Sequence, residues 1–404
     1  MKIQLWSIYY DPVPTGIGPI VTVWARAMRD RGHEVEVITS HPHYPEPIWG
    51  TSRRPYREQR DGVPVLRLPL AIGRGTAGKR LRQEASFAAS QALAAPALGT
   101  PDVIVAVSPS FPALAPTMVN ARLRRRPWVM WLQDILPDGA VSTGLLGPGR
   151  ALDAARRLER AAYRSAERVV VISDAFADNL RGKGVAPEKI VRLYNPSTRP
   201  VPAEPGRERA ADGTPRVLSM GNIGLSQGLP EYVRRFQGSP ELEHAGARLL
   251  IAGHGVATDE VRAAIADDRV EMLGLVSDER LEQELRRATL GVVTQRAGIS
   301  EFNLPSKLMN FMAYGIPVVA AVEPGSEVAR IVEGSGGGWV SDSGRPEHFP
   351  ERIAAALADR DELERRGDAA AAYARRHFSP EGVAERFEEV LVGAVDECMG
   401  GRRR

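Results

Sequence analysis

Pro305-Ser306-Lys307-Leu308-Met309-Asn310-Phe311-Met312-Ala313-Tyr314-Gly315-Ile316-Pro317-Val318-Val319-Ala320 decides how the chain is read. A Pro-Ser pair opens a short helical stretch, a Gly-Ile-Pro turn closes it, and an apolar β-branched strand follows. That order lets a parallel α/β sheet aim a cation and free backbone N–H groups at a phosphate. The only Lys of the segment, Lys307, stands at the mouth of the helix, and Ser306 is expected to cap it. The segment reads as a nucleoside-diphosphate binding element.

Around it the chain keeps one rhythm. Strands are predicted over 3–9, 35–39, 63–68, 103–107, 128–132 and 169–172, with helices such as 20–31 and 151–165 between them. Short apolar strands alternating with amphipathic helices indicate a doubly wound parallel sheet. Residues 195–215 break the pattern, because Pro196, Pro200, Pro202 and Pro205 forbid regular helix or central strand. The rhythm then restarts with strands over 216–220, 248–252, 270–273, 290–294, 318–321 and 338–340. The expected organisation is a first Rossmann-like domain over 1–198, a linker over 199–215, a second such domain over 216–378, and a tail over 379–404. The tail opens a helix over 380–395, with Ser379 as N-cap and Pro380 in its first position.

Composition narrows the class. Of 404 residues, 43% are hydrophobic and 25% charged, the balance of an ordinary globular enzyme. One cysteine, Cys398, excludes an intramolecular disulfide and a thiolate zinc site, and a cytoplasmic home is expected. No stretch reaches the roughly 18 apolar residues of a spanning helix. Residues 85–98, behind Arg74, Lys79, Arg80 and Arg82, have two readings: a helix packed on the sheet, or one lying on an anionic membrane surface. With 53 basic and 50 acidic residues the chain is mildly basic. It carries no nucleic-acid signature, and its short Arg clusters at 122–126 and 402–404 read as solvated surface, with anionic lipid second.

The 305–320 segment resembles the donor-site signature of the retaining GT-B glycosyltransferases of family GT4. The nearest likeness is to the bacterial branch that builds surface polysaccharides of the colanic-acid and O-antigen type, with its pattern PSKLxEYMAxGxPVVA, and it extends over nearly the whole chain. The resemblance implies an α/β GT-B fold, two Rossmann-like domains facing a central cleft, and a terminal helix that returns to the first domain. It implies transfer of a sugar from a UDP-sugar to an acceptor hydroxyl, with no cofactor and no metal. A glycan, a lipid-linked saccharide or a small molecule would serve as acceptor.

Carried onto this sequence, Lys307 and Arg296 would bind the donor diphosphate and stabilise its departure. The loop Gly221-Asn222-Ile223-Gly224-Leu225-Ser226-Gln227-Gly228 resembles GNxGxxQGL, and Gln227 stands where many relatives have Lys. Asn310 replaces the second Glu of the family's Glu-x7-Glu pair, which takes the ribose hydroxyls, and Glu301 lies nine residues before it rather than eight. Asn310 retains hydrogen-bonding power but loses the charge, leaving ribose recognition weaker or shared with Glu327. Glu301 is either a donor-sugar contact or a loop acid. The base is expected against 272–276, beside Leu275, and Gly253-His254-Gly255 is a further donor loop.

In the first half, Asp11-Pro12-Val13-Pro14-Thr15-Gly16-Ile17-Gly18 follows a strand and opens a helix, and Gly16 and Gly18 permit close approach. It lacks the GxGxxG of a dinucleotide oxidoreductase. Asp134 and Asp138, in a segment resembling RDLWPE, either orient the substrates or form turns. His43, in a loop resembling FPNYP, is an expected acceptor contact; His41 and His43 lack a third metal ligand. Asp359-Arg360-Asp361 spells a metal-site motif but reads as surface. Two rival functions use the same donor site: a sugar-nucleotide epimerase and a non-catalytic binding subunit.

Overall fold

A computed structural model of the chain describes residues 1–14, 16–43, 54–73, 77–108, 110–135, 149–199, 201–202, 208, 213–298 and 304–400. The chain divides into two compact units, Met1–Thr198 with Pro380–Arg404, and Arg199–Ser379.

The first unit holds strands β1 (Lys2–Trp6), β2 (Glu34–Ser40), β3 (Tyr56–Arg60), β4 (Val63–Leu68), β5 (Val103–Val107), β6 (Trp128–Leu132), β7 (Arg168–Val171) and β8 (Ile190–Arg192). They form one sheet in the order β3-β4-β2-β1-β5-β6-β7-β8, and only β3 runs antiparallel to its neighbour. Central strands such as VIVAV and WVMWL are buried throughout, because helices cover both faces of a parallel sheet. Its helices are α1 (Gly18–Asp30), α2 (Ala77–Ala94), α3 (Leu114–Arg124), α4 (Arg150–Ser165) and α5 (Asp174–Gly182).

The second unit carries β9 (Arg216–Met220), β10 (Arg248–Ala252), β11 (Val270–Gly274), β12 (Leu290–Thr294), β13 (Val318–Val322) and β14 (Gly338–Asp342). All pair in parallel, in the order β11-β10-β9-β12-β13-β14. Around them lie α6 (Leu229–Gln237), α7 (Pro240–His244), α8 (Thr258–Ala264), α9 (Asp278–Arg287), α10 (Ser306–Ala313), α11 (Glu327–Ser335), α12 (His348–Ala358) and α13 (Arg360–His377). Strand order reverses at β9 and β12, and in open α/β sheets ligands bind outside the carboxyl ends at such a point.

The last helix, α14 (Pro380–Gly400), packs on the first unit through Val383, Ala384, Phe387, Leu391 and Ala394. Its anchor is aromatic: Phe387 meets Trp24 of α1 at 4.9 Å and Trp131 of β6 at 5.2 Å between ring centroids, both edge to face. Glu388 and Glu397 add ion pairs to Arg31 and Arg168. The Ser379 hydroxyl donates to the carbonyl of Arg375 on the preceding helix.

Two strands escape the sequence pattern. The edge strand β3 reads YREQR, without an apolar run, and β8 has three residues. Residues 85–98 pack on the core through Phe87 and Leu98. Ser306 is corrected: Pro305 is the N-cap of α10 and Ser306 its first helical residue, with no side-chain cap. Asp359 is an N-cap, accepting from the Glu362 N–H at 3.0 Å.

Truncating Phe387 to Ala removes the centre of the aromatic anchor. It is expected to cost about 3–5 kcal/mol and to lower the thermal midpoint of the unit that contains α14. A melting curve identical to that of the parent would show that α14 adds nothing to the stability of this unit.

Candidate functional site

At the carboxyl edge of the second sheet three loops are laced together backbone to backbone. After β9 the chain turns at Gly221, with φ +94°, and its N–H donates to Ala252 O at 2.8 Å. Gly253, just after β10, lies so close that a Cβ there would sit 1.9 Å from Gly221 O. Its own N–H reaches Gly274 O at 2.8 Å, and Ile223 N–H reaches His254 O at 3.1 Å. Only glycine fits such an approach.

This framework places the cations. Arg296 leaves β12 with its N–H on Ser226 O at 2.7 Å, and its side-chain stem crosses Gly228, where a Cβ would lie 2.8 Å from Arg296 Cγ. Lys307 is only 8% exposed, an unusual burial for Lys. Its ammonium donates to Gln227 Oε1 at 2.9 Å, and Gln227 Nε2 donates in turn to Asn222 O at 2.5 Å. Helix α10 is seated by Phe311, whose ring occupies the space a Cβ on Gly291 of β12 would need, 2.6 Å away. The glycine loop, Arg296, Gln227 and Lys307 therefore converge at the β9/β12 reversal, and α6 and α10 start there without side-chain caps. Capless helix starts and two cations are features suited to an anion.

The other second-unit residues differ in presentation. Asn310 lies one turn beyond Lys307 and is buried, while Gly224 sits in the loop itself. His254 is exposed, its Nδ1 3.4 Å from Thr258 Oγ1. Glu327 is buried and accepts from Arg330 Nη2 at 3.0 Å. Leu275 is 81% exposed, and so are Val256 at 80% and Leu225 at 52% on the two neighbouring loops. Sequence reading missed the last two; the signal was a lone apolar residue in each Gly-bearing turn. Glu301 and Asp138 lie outside the described residues.

In the first unit Gly16 turns with φ +65° and is exposed, and Gly18 packs so tightly that a Cβ would lie 2.7 Å from Val13 O. His43 is corrected as an acceptor contact. It is buried, stacked on Tyr9, with Nδ1 3.0 Å from His41 O and Nε2 3.2 Å from Gln83 Nε2. The ring therefore builds the loop rather than facing an acceptor. Arg67, which sequence reading missed, is fully buried and clamps two loops at once: it donates to Asp11 O, to Ser40 O at 3.3 Å, and to Glu58 Oε1 at 2.7 Å. An apolar run with one Arg gives no hint that the Arg points inward.

Asp134 follows β6, and the Ser108 hydroxyl accepts from its N–H at 3.3 Å and from that of Gln133 at 2.8 Å. The residue itself is exposed, yet the protein packed around its carboxyl raises its pKa by desolvation, opposed by Arg80. Glu84 of α2, also missed, is raised by burial too, with Arg80 opposing and Asp134 adding to the rise. Asp134 is thus one of two carboxylates sharing one guanidinium, with Arg80 Nε 3.4 Å from Glu84 Oε1.

Comparison with known proteins gives the family. The model of the "Glycosyl transferase 4-like domain" matches residues 15–196, and that of "Glycosyl transferases group 1" matches 201–373. The chain belongs to the GT4-like, group 1 glycosyltransferases, and its fold is GT-B. Among curated relatives it is similar to the putative colanic acid biosynthesis glycosyl transferase WcaI of Escherichia coli K12, 28% identical over 96% of this chain and 98% of that one. It is also 28% identical to the probable glycosyltransferase WbjE of Pseudomonas aeruginosa, over 52% of this chain and 55% of the relative. Among solved structures it resembles Anabaena Alr3699/HepE in complex with UDP, at a TM-score of 0.65 and 18% identity, covering 97% and 100% of the two chains. WaaG, a glycosyltransferase involved in lipopolysaccharide biosynthesis, follows at a TM-score of 0.58 and 14% identity, covering 97% of this chain and 100% of that one.

The buried imidazole of His41 predicts an acid limb. Burial holds it below the ordinary histidine range, with Arg67 adding to the effect, and no hydrogen-bond partner is present for Nε2 among the described residues. The unfolded chain then binds the proton first, so stability is fully present above about pH 6.5 and falls as pH drops below it, until the folded imidazole protonates. His41→Gln is expected to lose less stability than the parent between about pH 7 and pH 5, read as urea midpoints at each pH. Equal losses would place the acid sensitivity elsewhere.

Proposed function

We propose that this glycosyltransferase moves a sugar from a UDP-sugar, bound by the second unit, to an acceptor hydroxyl bound by the first, with retention of anomeric configuration. The observation that carries the reading is the convergence of Lys307 and Arg296 on the 221–228 loop at the strand-order reversal. Two cations and the capless starts of α6 and α10 suit a diphosphate that gains charge as it leaves. Asn310, one turn along α10, is assigned to the ribose, and Leu225, Val256 and Leu275 to the flat faces of the base.

In this mechanism the bond between the anomeric carbon and the diphosphate oxygen breaks, and the acceptor oxygen joins the same carbon on the same face. The acceptor proton passes to the departing phosphate oxygen, so no separate base is needed. Asp134, with Glu84 and Arg80 behind it, orients the acceptor hydroxyl, and Arg67 holds the Asp11–Gly18 loop in place. No metal and no cofactor enters this scheme.

The UDP donor is supported by solved relatives of the same fold whose structures hold UDP and UDP-glucose. The acceptor class is supported by relatives assigned to colanic acid biosynthesis. We therefore place the reaction in surface-polysaccharide assembly on a lipid-linked glycan, at the cytoplasmic side. Conversion of a UDP-sugar to an isomer without acceptor would favour an epimerase instead.

The test is calorimetric titration with UDP and GDP of the parent and of Lys307→Ala. Loss of one charge-assisted phosphate contact is worth about 1.5–3 kcal/mol, so UDP affinity is expected to fall roughly 10- to 150-fold. Unchanged UDP binding in the variant would remove Lys307 from the donor site.

A further inference from the structure

Helix α2 turns a stripe of Gln83, Phe87 and Gln91 inward, residues spaced four apart on one face and all buried. A glutamine on such a stripe must find hydrogen-bond partners inside the protein. Gln83 does: its Oε1 accepts from the Gly73 N–H at 2.9 Å and its Nε2 meets His43 Nε2 at 3.2 Å. Gln91, two turns on, is 1% exposed, and its Oε1 has no partner among the described residues. An acceptor buried in this way without a bond destabilises the fold.

Two more buried polar atoms are in the same position. Trp6 ends β1 opposite Ala106 of β5, and Ser110 lies in the loop that leads from β5 to α3. The Trp6 Nε1–H and the Ser110 hydroxyl are unpartnered among the described residues, so neither reaches the other or Gln91 directly. All three side chains nevertheless line one internal cavity, together with Phe87 and Leu114. The cavity leaves about 10 Å³ for the centre of a water-sized sphere, which is the room of one water molecule. Ser7 and Thr117 also line it, but their hydroxyls already donate to Tyr9 O at 2.8 Å and Ala113 O at 3.0 Å.

The three free groups are complementary to water. The indole N–H donates to the water oxygen, the water donates to Gln91 Oε1, and the third bond joins the water to Ser110 Oγ, which can donate or accept. We infer that one internal water, bound by Trp6 Nε1, Gln91 Oε1 and Ser110 Oγ, ties the loop between β5 and α3 to β1 and α2. That loop is already held on either side of Ser110. The Ser108 hydroxyl accepts from the N–H groups of Gln133 and Asp134, and the Phe111 N–H donates to the Glu84 carboxyl. The water supplies the tie between these two, and with it the loop that seats Asp134 is fixed from three elements. Only the bearing of this loop on the acceptor rests on the proposed function; the water site is tested without donor or acceptor.

The experiment is a crystal structure of the full chain at a resolution that shows ordered water, with hydrogen exchange read by mass spectrometry, on the parent and on Gln91→Met and Ser110→Ala. The parent is expected to show one water within about 2.7–3.2 Å of all three atoms. Gln91→Met, which keeps the length of the side chain and removes the acceptor, is expected to fill the cavity and expel it. In both variants the amides of Phe111, Leu114 and Ala115 are expected to exchange roughly tenfold faster, the loss of about one hydrogen bond, while those of β14 in the second unit exchange as in the parent. Ser110→Ala is the milder change and gives the answer if Gln91→Met does not fold. The inference is overturned if the parent cavity holds no ordered water, if Gln91 bonds Trp6 or Ser110 directly in its place, or if loop exchange is unchanged in the variants. UDP titration reads the second unit, so a failure of the donor assignment is seen separately.

Discussion

Gly221 and Gly253 meet with no room for a side chain, and the loops of the second unit depend on that contact. Parallel strands end with their carbonyls at one edge, and the loops that leave them normally diverge. Here three loops are tied to one another by backbone hydrogen bonds, so the 221–228 segment is held at the strand-order reversal as a fixed platform. Arg296 lies across it and Lys307 is bonded to it through Gln227. Gln227 gives the neighbouring ammonium a neutral acceptor, where a Lys would set two like charges at short range.

The first unit solves a different problem. Its loops after β1 and β2 have few glycines to interlock, and a buried guanidinium does the tying. Arg67 satisfies two loop carbonyls and one carboxylate on the edge strand, the condition under which a cation is tolerated inside. Beneath it the Trp24, Trp131 and Phe387 rings bring α14 into the same core, so a helix more than two hundred residues away in sequence belongs to this unit.

Much of this was legible in the sequence because it rests on local chemistry. The strand, glycine loop and helix at 216–229, and the Pro-Ser-Lys helix with its Gly-Pro exit, are short-range patterns whose period and turn residues need no partner to be read. Ser306 was misplaced by one position, since Pro305 has the extended φ/ψ of an N-cap and no side chain that caps. The inward packing of His43 on Tyr9 and Gln83 depends on elements distant in sequence, so its local pattern did not show it. Arg67, Glu84, Leu225 and Val256 gave no pattern at all, and β3 owes its strand to pairing with β4 rather than to its own charged residues.

The sequence by itself determined two α/β units, their parallel strands, the glycines at the carboxyl edges and the cations near the 221–228 loop, since each follows from local periodicity and backbone sterics. The tertiary structure alone decided which side chains share a site. Gln227 and Lys307 are eighty residues apart, and Arg80, Glu84 and Asp134 meet only across α2 and β6. Such juxtapositions are fixed by how the helices pack on the sheet, a long-range outcome of burying apolar faces that no local pattern encodes.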